Sequence, residues 1–114
     1  MNPCIAIIDS NTVAVMGLKE ILWELFPDTE ILCYGSMDDF FRDCNRNYLY
    51  YFVSARMLFE NSDEFSMLRD KTIASSAGPL MSLEEAGYRV LDISLPETAI
   101  AAEILRLHRE SGSE

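Results

Sequence analysis

Apolar residues in this chain form five short runs, and the segments between them have the periodicity of helices. The runs are too short for isolated helices, and most are rich in β-branched or aromatic side chains and end at turn or helix-capping residues. These features are typical of parallel strands covered on both faces. We predict strands at Cys4–Ile8, Glu30–Tyr34, Leu49–Val53, Lys71–Ser75 and Arg89–Ile93, with Leu49–Val53 at the centre of the sheet.

Two helices are predicted before the central strand. The first follows the turn and capping cluster Asp9–Thr12 and ends at Pro27. Its apolar residues recur at helical spacing and predict one buried face, formed by Leu18, Ile21, Leu22 and Leu25. The second helix begins at Ser36–Asp39, which resembles a capping box. Its inner face is expected to contain Met37, Phe40, Phe41 and Cys44.

Three helices are predicted after the central strand. The first of these begins within Glu60–Glu64 and buries Phe65 and Leu68. A short helix follows, for which Ser82–Glu85 fits a capping box. The last helix is capped by Ser94–Glu97, with a proline in its first turn. Its inner face is expected to contain Ile100, Ile104 and Leu107.

Strands that alternate with helices across short connections specify the α/β class. We expect a single (βα)5 flavodoxin-like domain over residues 1–109, with a parallel five-stranded sheet in the order 2-1-3-4-5 and helices on both faces. Residues 110–114 are interpreted as the start of a linker or tail. In this order the carboxyl ends of the strands meet at one edge of the sheet. We expect a crevice there, lined by Asp9, Ser10, Ser54, Ser76 and Asp92.

Charge and cysteine content narrow the function classes. The 114-residue chain has a formal net charge of −10, which disfavours direct binding to nucleic acid or to an anionic membrane, because both bind through basic surfaces. No stretch approaches the roughly 20 apolar residues of a membrane span, and the N-terminus lacks signal-peptide features, so a cytoplasmic location is expected. Cys4, Cys33 and Cys44 have no metal-ligand spacing and are expected to be buried thiols.

Motifs of several common cofactor classes are missing from the sequence. It contains no Gly-x-Gly-x-x-Gly, no Walker loop, no Cys-x-x-Cys and no zinc-binding helix motif. A flavin is conceivable from the fold class alone, but the Asp9 carboxylate would repel its phosphate. We therefore expect no cofactor.

Five segments carry a specific resemblance to a known family. They are Ile8–Asn11, Met16–Glu20, Ser54–Leu58, Ser76-Ala77 and Ser94–Glu97. The sequence resembles CheY-like receiver domains of two-component response regulators over nearly its whole length. It is closest to receivers that precede a helix-turn-helix output domain in transcriptional regulators of the LuxR/NarL type.

The resemblance also implies that the phosphorylation site is altered. Asp9 keeps one metal-binding carboxylate, but Ser10 replaces its acidic neighbour and Ser54 stands at the phospho-accepting aspartate. Ser76 falls on the switch serine or threonine, and Asp92 stands where the phosphate-sensing lysine belongs. We therefore expect a degenerate receiver, or pseudo-receiver, with a vestigial crevice and no enzymatic activity.

Each of these residues also has a simpler interpretation. Asp9 is equally explained as an acid favoured at the start of a helix, and Ser76 as a turn-capping hydroxyl. Ser54 lacks the base that a serine nucleophile needs, because His108 is expected to be exposed near the end of the last helix. Asp92 beside Asp9 makes only a weak cation site, since two carboxylates are too few ligands. We expect no bound metal.

The expected function is that of a signalling module that acts by protein contact or dimerisation without aspartyl phosphorylation. The alternatives are an active receiver with an unrecognised phosphoacceptor and a small-molecule sensor that uses the vacated crevice. Ala101 and Leu105 widen the apolar surface of the last helix and are the candidates for a homodimer interface. A DNA-binding domain is expected beyond Glu114, because the acidic balance leaves DNA contact to another segment.

Overall fold

The computed structural model describes residues 3–43, 48–77 and 81–111, without the side chains of residues 81 and 111. Its five strands form one sheet in the order β2-β1-β3-β4-β5, in which every pairing is parallel. The strands are β1 (Cys4–Ile8), β2 (Glu30–Tyr34), β3 (Tyr48–Ser54), β4 (Thr72–Ser76) and β5 (Arg89–Asp92). The predicted α/β class, flavodoxin-like strand order and central position of the third strand are confirmed.

Helices cover both faces of the sheet, as predicted. They are α1 (Thr12–Leu25), α2 (Met37–Arg42), α3 (Ala55–Glu60), α4 (Ser62–Phe65), a 3-10 helix (Ser66–Lys71), α5 (Met81–Glu85) and α6 (Glu97–Ser111). On one face, α1 and α6 bury the predicted residues Leu18, Ile21, Leu22, Ile100, Ile104 and Leu107. The opposite face is covered by side chains of the shorter helices, among them Phe40, Leu58, Phe65 and Leu83.

The side chains of β3 point alternately to the two faces of the sheet and contribute to the core on each face. Tyr51 and Val53 belong to the core on the side of the short helices. Tyr50 and Phe52 belong to the core on the side of α1 and α6. Successive side chains of a strand point to opposite faces, so an unbroken apolar run is what a strand buried on both faces requires.

The segment after β3 agrees with the prediction in part. The helix expected to begin within Glu60–Glu64 is present as α4, which begins at Ser62, but α3 precedes it and begins at Ala55, directly after the strand. The Ser54 hydroxyl accepts a hydrogen bond from the Met57 N–H at 3.3 Å and so caps α3. At the end of the helix the Asn61 side chain donates to the Met57 carbonyl oxygen at 2.9 Å. Phe65 is buried as predicted.

Two smaller predictions about helices are wrong. Phe41 is 41% exposed, because Phe40 beside it takes the buried position and adjacent residues of a helix point about 100° apart. Ser82 lies inside α5 and not at its cap, since that helix begins at Met81. The Ser36 cap is confirmed, because its hydroxyl accepts from the Asp39 N–H at 3.1 Å.

The cysteines and the last helix also depart from expectation. Cys4 is buried, but Cys33 is an exposed free thiol on the edge strand β2, and Cys44 lies outside the described residues. The last helix continues to Ser111, two residues past the expected boundary at 109. In the described ranges no helix has the length and apolar character needed to cross a bilayer.

His108 is half-buried, where an exposed position was expected. Its Nδ1 lies 2.6 Å from the Tyr50 hydroxyl, and the edge of its ring meets Phe26 at a centroid distance of 5.1 Å. The imidazole therefore joins the last turn of α6 to the beginning of β3 and to the chain after α1. Periodicity alone does not reveal such a polar contact within an apolar face.

A hydrogen-bonded pair of tyrosines lies among the aromatic rings on the other face. The Tyr34 hydroxyl is 2.5 Å from the Tyr48 hydroxyl and donates to Asp43 Oδ2 at 2.6 Å. The pKa of Tyr34 is raised above its ordinary value. The largest cause is burial, and the hydrogen bonds to Asp43 and Tyr48 raise it further. By contrast, the Tyr88 hydroxyl is buried without a partner among the described residues.

Tyr34 and Tyr88 provide a matched pair of substitutions. Tyr34→Phe removes a buried hydrogen bond to a carboxylate and is expected to lower the free energy of unfolding by about 1 to 3 kcal/mol. Tyr88→Phe removes a hydroxyl that is buried without a described partner, and is expected to leave stability unchanged or to raise it. Urea unfolding of both variants measures the difference, and equal losses would contradict this account.

The same variants test the effect of pH. The unfolded chain ionises a tyrosine near its ordinary pKa of about 10, while the folded chain holds Tyr34 neutral to a higher pH. The stabilisation from this shift is therefore complete below about pH 10 and is lost as the pH rises further. Wild type should lose stability more steeply than Tyr34→Phe above that pH.

Candidate functional site

The register of the sheet brings the carboxyl ends of four strands to one edge. Ile8 of β1 lies beside Val53 of β3, and Ser54 lies beside Ser75 of β4. Ser76 lies beside Asp92 at the end of β5. The structure therefore places Asp9, Ser54, Ser76 and Asp92 along the edge at which the crevice was predicted, while Ser10 is exposed in the turn after β1.

Asp9 shapes the turn that begins α1. It is half-buried, its backbone N–H donates to the Tyr34 carbonyl oxygen at 3.0 Å, and its Oδ1 accepts from the Asn11 N–H at 3.0 Å. Asn11 in turn caps α1, because its side-chain oxygen accepts from the N–H groups of Val13 and Ala14. One of the two Asp9 carboxylate oxygens is therefore already engaged in a hydrogen bond within this turn.

Ser54 has a structural task of its own, which is to cap α3. A nucleophilic serine also requires a base, and the only histidine of the chain contacts Tyr50. Tyr50 precedes Ser54 by four residues, which places it about 13 Å away along the strand. The geometry therefore gives Ser54 no histidine for nucleophilic catalysis.

Asp92 holds the turn between β5 and α6. Its Oδ1 accepts from the Ser94 N–H at 3.0 Å and from the Ser94 hydroxyl at 2.6 Å. The Ile93 N–H donates to the Ser76 carbonyl oxygen at 2.8 Å, which ties the end of β5 to the end of β4. The carboxylate thus stabilises a turn at the place where the receiver resemblance implies a lysine.

The side chains at this edge do not fit the magnesium ion that the resemblance implies. Magnesium ions take oxygen ligands, usually one or two carboxylates supplemented by water and substrate oxygens. Of the positions corresponding to the family's acidic ligands, only Asp9 carries a carboxylate, and its Oδ1 accepts from the Asn11 N–H. Within the described ranges, no three His, Cys, Asp or Glu side chains are grouped to hold a metal.

A second feature at this edge was not predicted. A cavity of about 490 Å³ lies between α1 and α6, and its walls include Ala14, Leu18, Ile21, Ile93 and Ile100. The sequence held one signal of it, because Gly17, which lines the cavity, stands within α1, where glycine is less favourable than alanine. The cavity is distinct from the row of strand-end residues formed by Asp9, Ser54, Ser76 and Asp92, although Asn11 lies next to both.

Three solved structures are similar to the chain over most of its length. A response regulator receiver protein from Pseudoalteromonas atlantica has a TM-score of 0.67 and 15% identity, covering 96% of this chain and 99% of its own. The signal receiver domain of an HD domain-containing protein from Pseudomonas fluorescens Pf-5 has a TM-score of 0.73 and 14% identity, covering all of both chains. A LuxR family DNA-binding response regulator from Silicibacter pomeroyi has a TM-score of 0.70 and 12% identity, covering 92% and 89%.

No protein-family model matches the chain, and no curated protein sequence matches it. The similarity is therefore one of architecture, carried by near-complete overlap of the backbones and not by shared residues. It agrees with the strand order and with helices on both faces of the sheet. The chain has the fold of response-regulator receiver domains.

Proposed function

We propose that the chain is a degenerate receiver domain, a signalling module that acts through contacts with other proteins and without aspartyl phosphorylation. The receiver fold supports the family assignment. The observation that carries the proposal is Ser54, because a neutral hydroxyl that caps α3 stands where the family's aspartate accepts the phosphoryl group.

Each part of phosphoryl transfer is weakened at this edge of the sheet. The reaction needs a nucleophile in line with phosphorus, a divalent ion that bridges the oxygens and a cation that neutralises the developing charge. Ser54 offers a hydroxyl with no histidine base, and Ser10 and Ser54 together remove two of three metal-binding carboxylates. Asp92 adds a negative charge in place of a positive one, which costs roughly 1 to 4 kcal/mol at contact distance in solvated surroundings.

Wild type is therefore expected to gain no phosphoryl group from acetyl phosphate and Mg²⁺, as measured by intact-protein mass spectrometry. The control is the triple variant Ser10→Asp, Ser54→Asp and Asp92→Lys. It restores the two acids and the lysine that receiver domains carry at these positions. Aspartate is also a favourable N-cap, so Ser54→Asp should preserve the start of α3. A gain of one phosphoryl mass in wild type that disappears on substitution of Asp9 would establish the alternative, an active receiver with an unrecognised acceptor.

We also propose that the domain forms a homodimer through α6. Leu105 is half-buried and belongs to neither core cluster, while Ala101 packs partly against the core of the α1 and α6 face. These residues leave an apolar strip beside the inner face of the helix. A partner surface that covers Leu105 would remove its exposed area from water.

Leu105→Glu is expected to shift the molecule towards the monomer in sedimentation velocity, because the new charge would be buried at the interface. Ala102→Glu is the matched control, since Ala102 is exposed on the same helix and the substitution introduces the same charge. A wild type that sediments as a monomer at every concentration would contradict the dimer.

A DNA-binding segment beyond Glu114 and a cytoplasmic location complete the proposal. The Silicibacter pomeroyi structure is that of a DNA-binding response regulator, which supports an output domain of that type here. The charge of −10 is consistent with this arrangement, because DNA contact then belongs to a different, basic segment.

A further inference from the structure

The pairing between β1 and β3 contains one irregular step. Cys4 lies beside Tyr48 and Ile5 lies beside Tyr50, so Leu49 has no residue opposite it on β1. One extra residue in one strand of a pair is a β-bulge, which is rare between parallel strands. Leu49 is apolar and yet 38% exposed at this position.

The bulge decides which face of the sheet Tyr48 points to. In a regular strand Tyr48 would share a face with Tyr50, two residues further on, because side chains alternate. Instead, Tyr48 packs in the core on the side of the short helices, and Tyr50 packs on the side of α1 and α6. The extra residue therefore turns Tyr48 to the opposite face, as a shift of one residue in a strand does.

Each of the two tyrosines is linked to a polar residue at the end of a helix. The Tyr48 hydroxyl is 2.5 Å from the Tyr34 hydroxyl, which donates to Asp43 Oδ2 at 2.6 Å. Asp43 is the C-cap residue of α2. The Tyr50 hydroxyl is 2.6 Å from Nδ1 of His108, which lies in the last turn of α6. The start of β3 thus connects the ends of two helices on opposite faces of the sheet.

A second arrangement of this segment is compatible with the same sequence. Without the bulge, Leu49 would lie opposite Cys4 and would point to the side of the short helices, as Tyr51 does. This arrangement gains an unbroken ladder and the burial of a leucine side chain. It loses the contact between the Tyr48 and Tyr34 hydroxyls, because Tyr48 would then point towards α6.

We propose that the start of β3 is a two-state element, which exchanges between the bulged form described above and a regular form. In the regular form Leu49 is buried and Tyr48 is turned towards α6. The contributions that distinguish the two forms oppose each other and are comparable, since one buried hydrogen bond is set against the full burial of one leucine. Two packings of one sequence that are close in free energy are both populated.

The exchange connects the end of α2 to the end of α6. In the regular form Tyr48 lies on the α6 face, about 7 Å from Tyr50 along the strand. The last turn of α6 contacts Tyr50 through His108, so a second phenol ring on this face changes that contact. Asp43 is half-buried, and a partner protein that takes over its carboxylate favours the regular form. The inference rests on the proposed function, because it gives a module without phosphorylation a way to change α6.

Two side chains report on the exchange in NMR spectra. His108 is the only histidine of the chain, so its imidazole signals are unambiguous. The methyl signals of Leu49 are identified by their loss in Leu49→Met. In the regular form these methyl groups lie among the aromatic rings of the core, and their signals are expected to shift upfield. Averaged shifts, second peaks and relaxation dispersion together cover fast, slow and intermediate exchange.

Tyr48→Phe removes the hydroxyl that favours the bulged form. The population of the regular form is expected to rise about tenfold, and the Leu49 and His108 signals should shift together with one exchange rate. Tyr34→Phe removes the other hydroxyl of the pair and is expected to act in the same direction. Tyr88→Phe is the matched control, because it removes a hydroxyl buried in the same core without a partner among the described residues. It should change neither reporter.

Substitutions of Leu49 distinguish the exchange from a direct effect of the lost hydroxyl. Leu49→Gln leaves the bulged form unaffected but would place an unpaired amide in the core of the regular form. The change at His108 should therefore disappear when Leu49→Gln is added to Tyr48→Phe. It should persist when Leu49→Met is added instead, because methionine can be buried in place of leucine.

Three results would overturn the proposal. They are Leu49 signals of Tyr48→Phe at their wild-type positions without exchange, a shift of these signals with no change at His108, and a His108 change that Leu49→Gln leaves in place. Phosphoryl uptake from acetyl phosphate is measured separately. A wild type that takes up phosphate, while the two reporters still shift together in Tyr48→Phe, would refute the proposed function and leave the two-state element intact.

Discussion

The burial of β3 on both faces is the constraint on which the rest of the structure depends. Its side chains alternate between two core halves, and its backbone pairs with β1 on one side and β4 on the other. Placing a polar residue without a partner on either face of β3 would be unfavourable, because an unpaired buried polar group costs several kcal/mol. The strand therefore fixes the sheet order and the position of Ser54 at its end.

The residues that determine the fold are different from the residues at the candidate site. The residues that hold β3 in place are apolar and buried, while those at the strand ends are half-buried or exposed and take part in caps and turns. Ser54 and Asp92 both form local hydrogen bonds that stabilise the start of a helix or a turn. This fold can therefore carry serine or aspartate at the ends of its strands, because both are good capping residues.

The sequence was sufficient to predict the sheet, because unbroken apolar runs admit few alternatives once their length excludes helices. Leu18, Ile21 and Ile104 were likewise assigned to buried faces by their spacing, and the structure agrees. The failures have physical causes. The start of α3 leaves no break in the pattern, because its cap, Ser54, is also the last residue of the strand. Phe41 is exposed because adjacent residues of a helix point about 100° apart and Phe40 takes the inner position.

Less of the candidate site could be predicted. Strand order alone placed Asp9, Ser54, Ser76 and Asp92 at one edge. It did not predict the hydrogen bonds of the Asp9, Ser54 and Asp92 side chains. The contact between His108 and Tyr50 depends on how α6 lies against β3, and the cavity beside Gly17 depends on how α6 lies against α1. Such relations between distant segments leave no periodic signal in a single sequence.

The central claim, that the crevice has lost its metal-dependent chemistry, is tested most directly with a phosphoryl analogue. Amide NMR spectra of wild type can be recorded during titration with Mg²⁺ and beryllofluoride, which mimics a phosphoryl group on an aspartate. The account predicts no saturable shifts for the amides of Asp9, Ser54, Ser76 and Asp92. Saturable shifts at these amides that require both Mg²⁺ and beryllofluoride would contradict it.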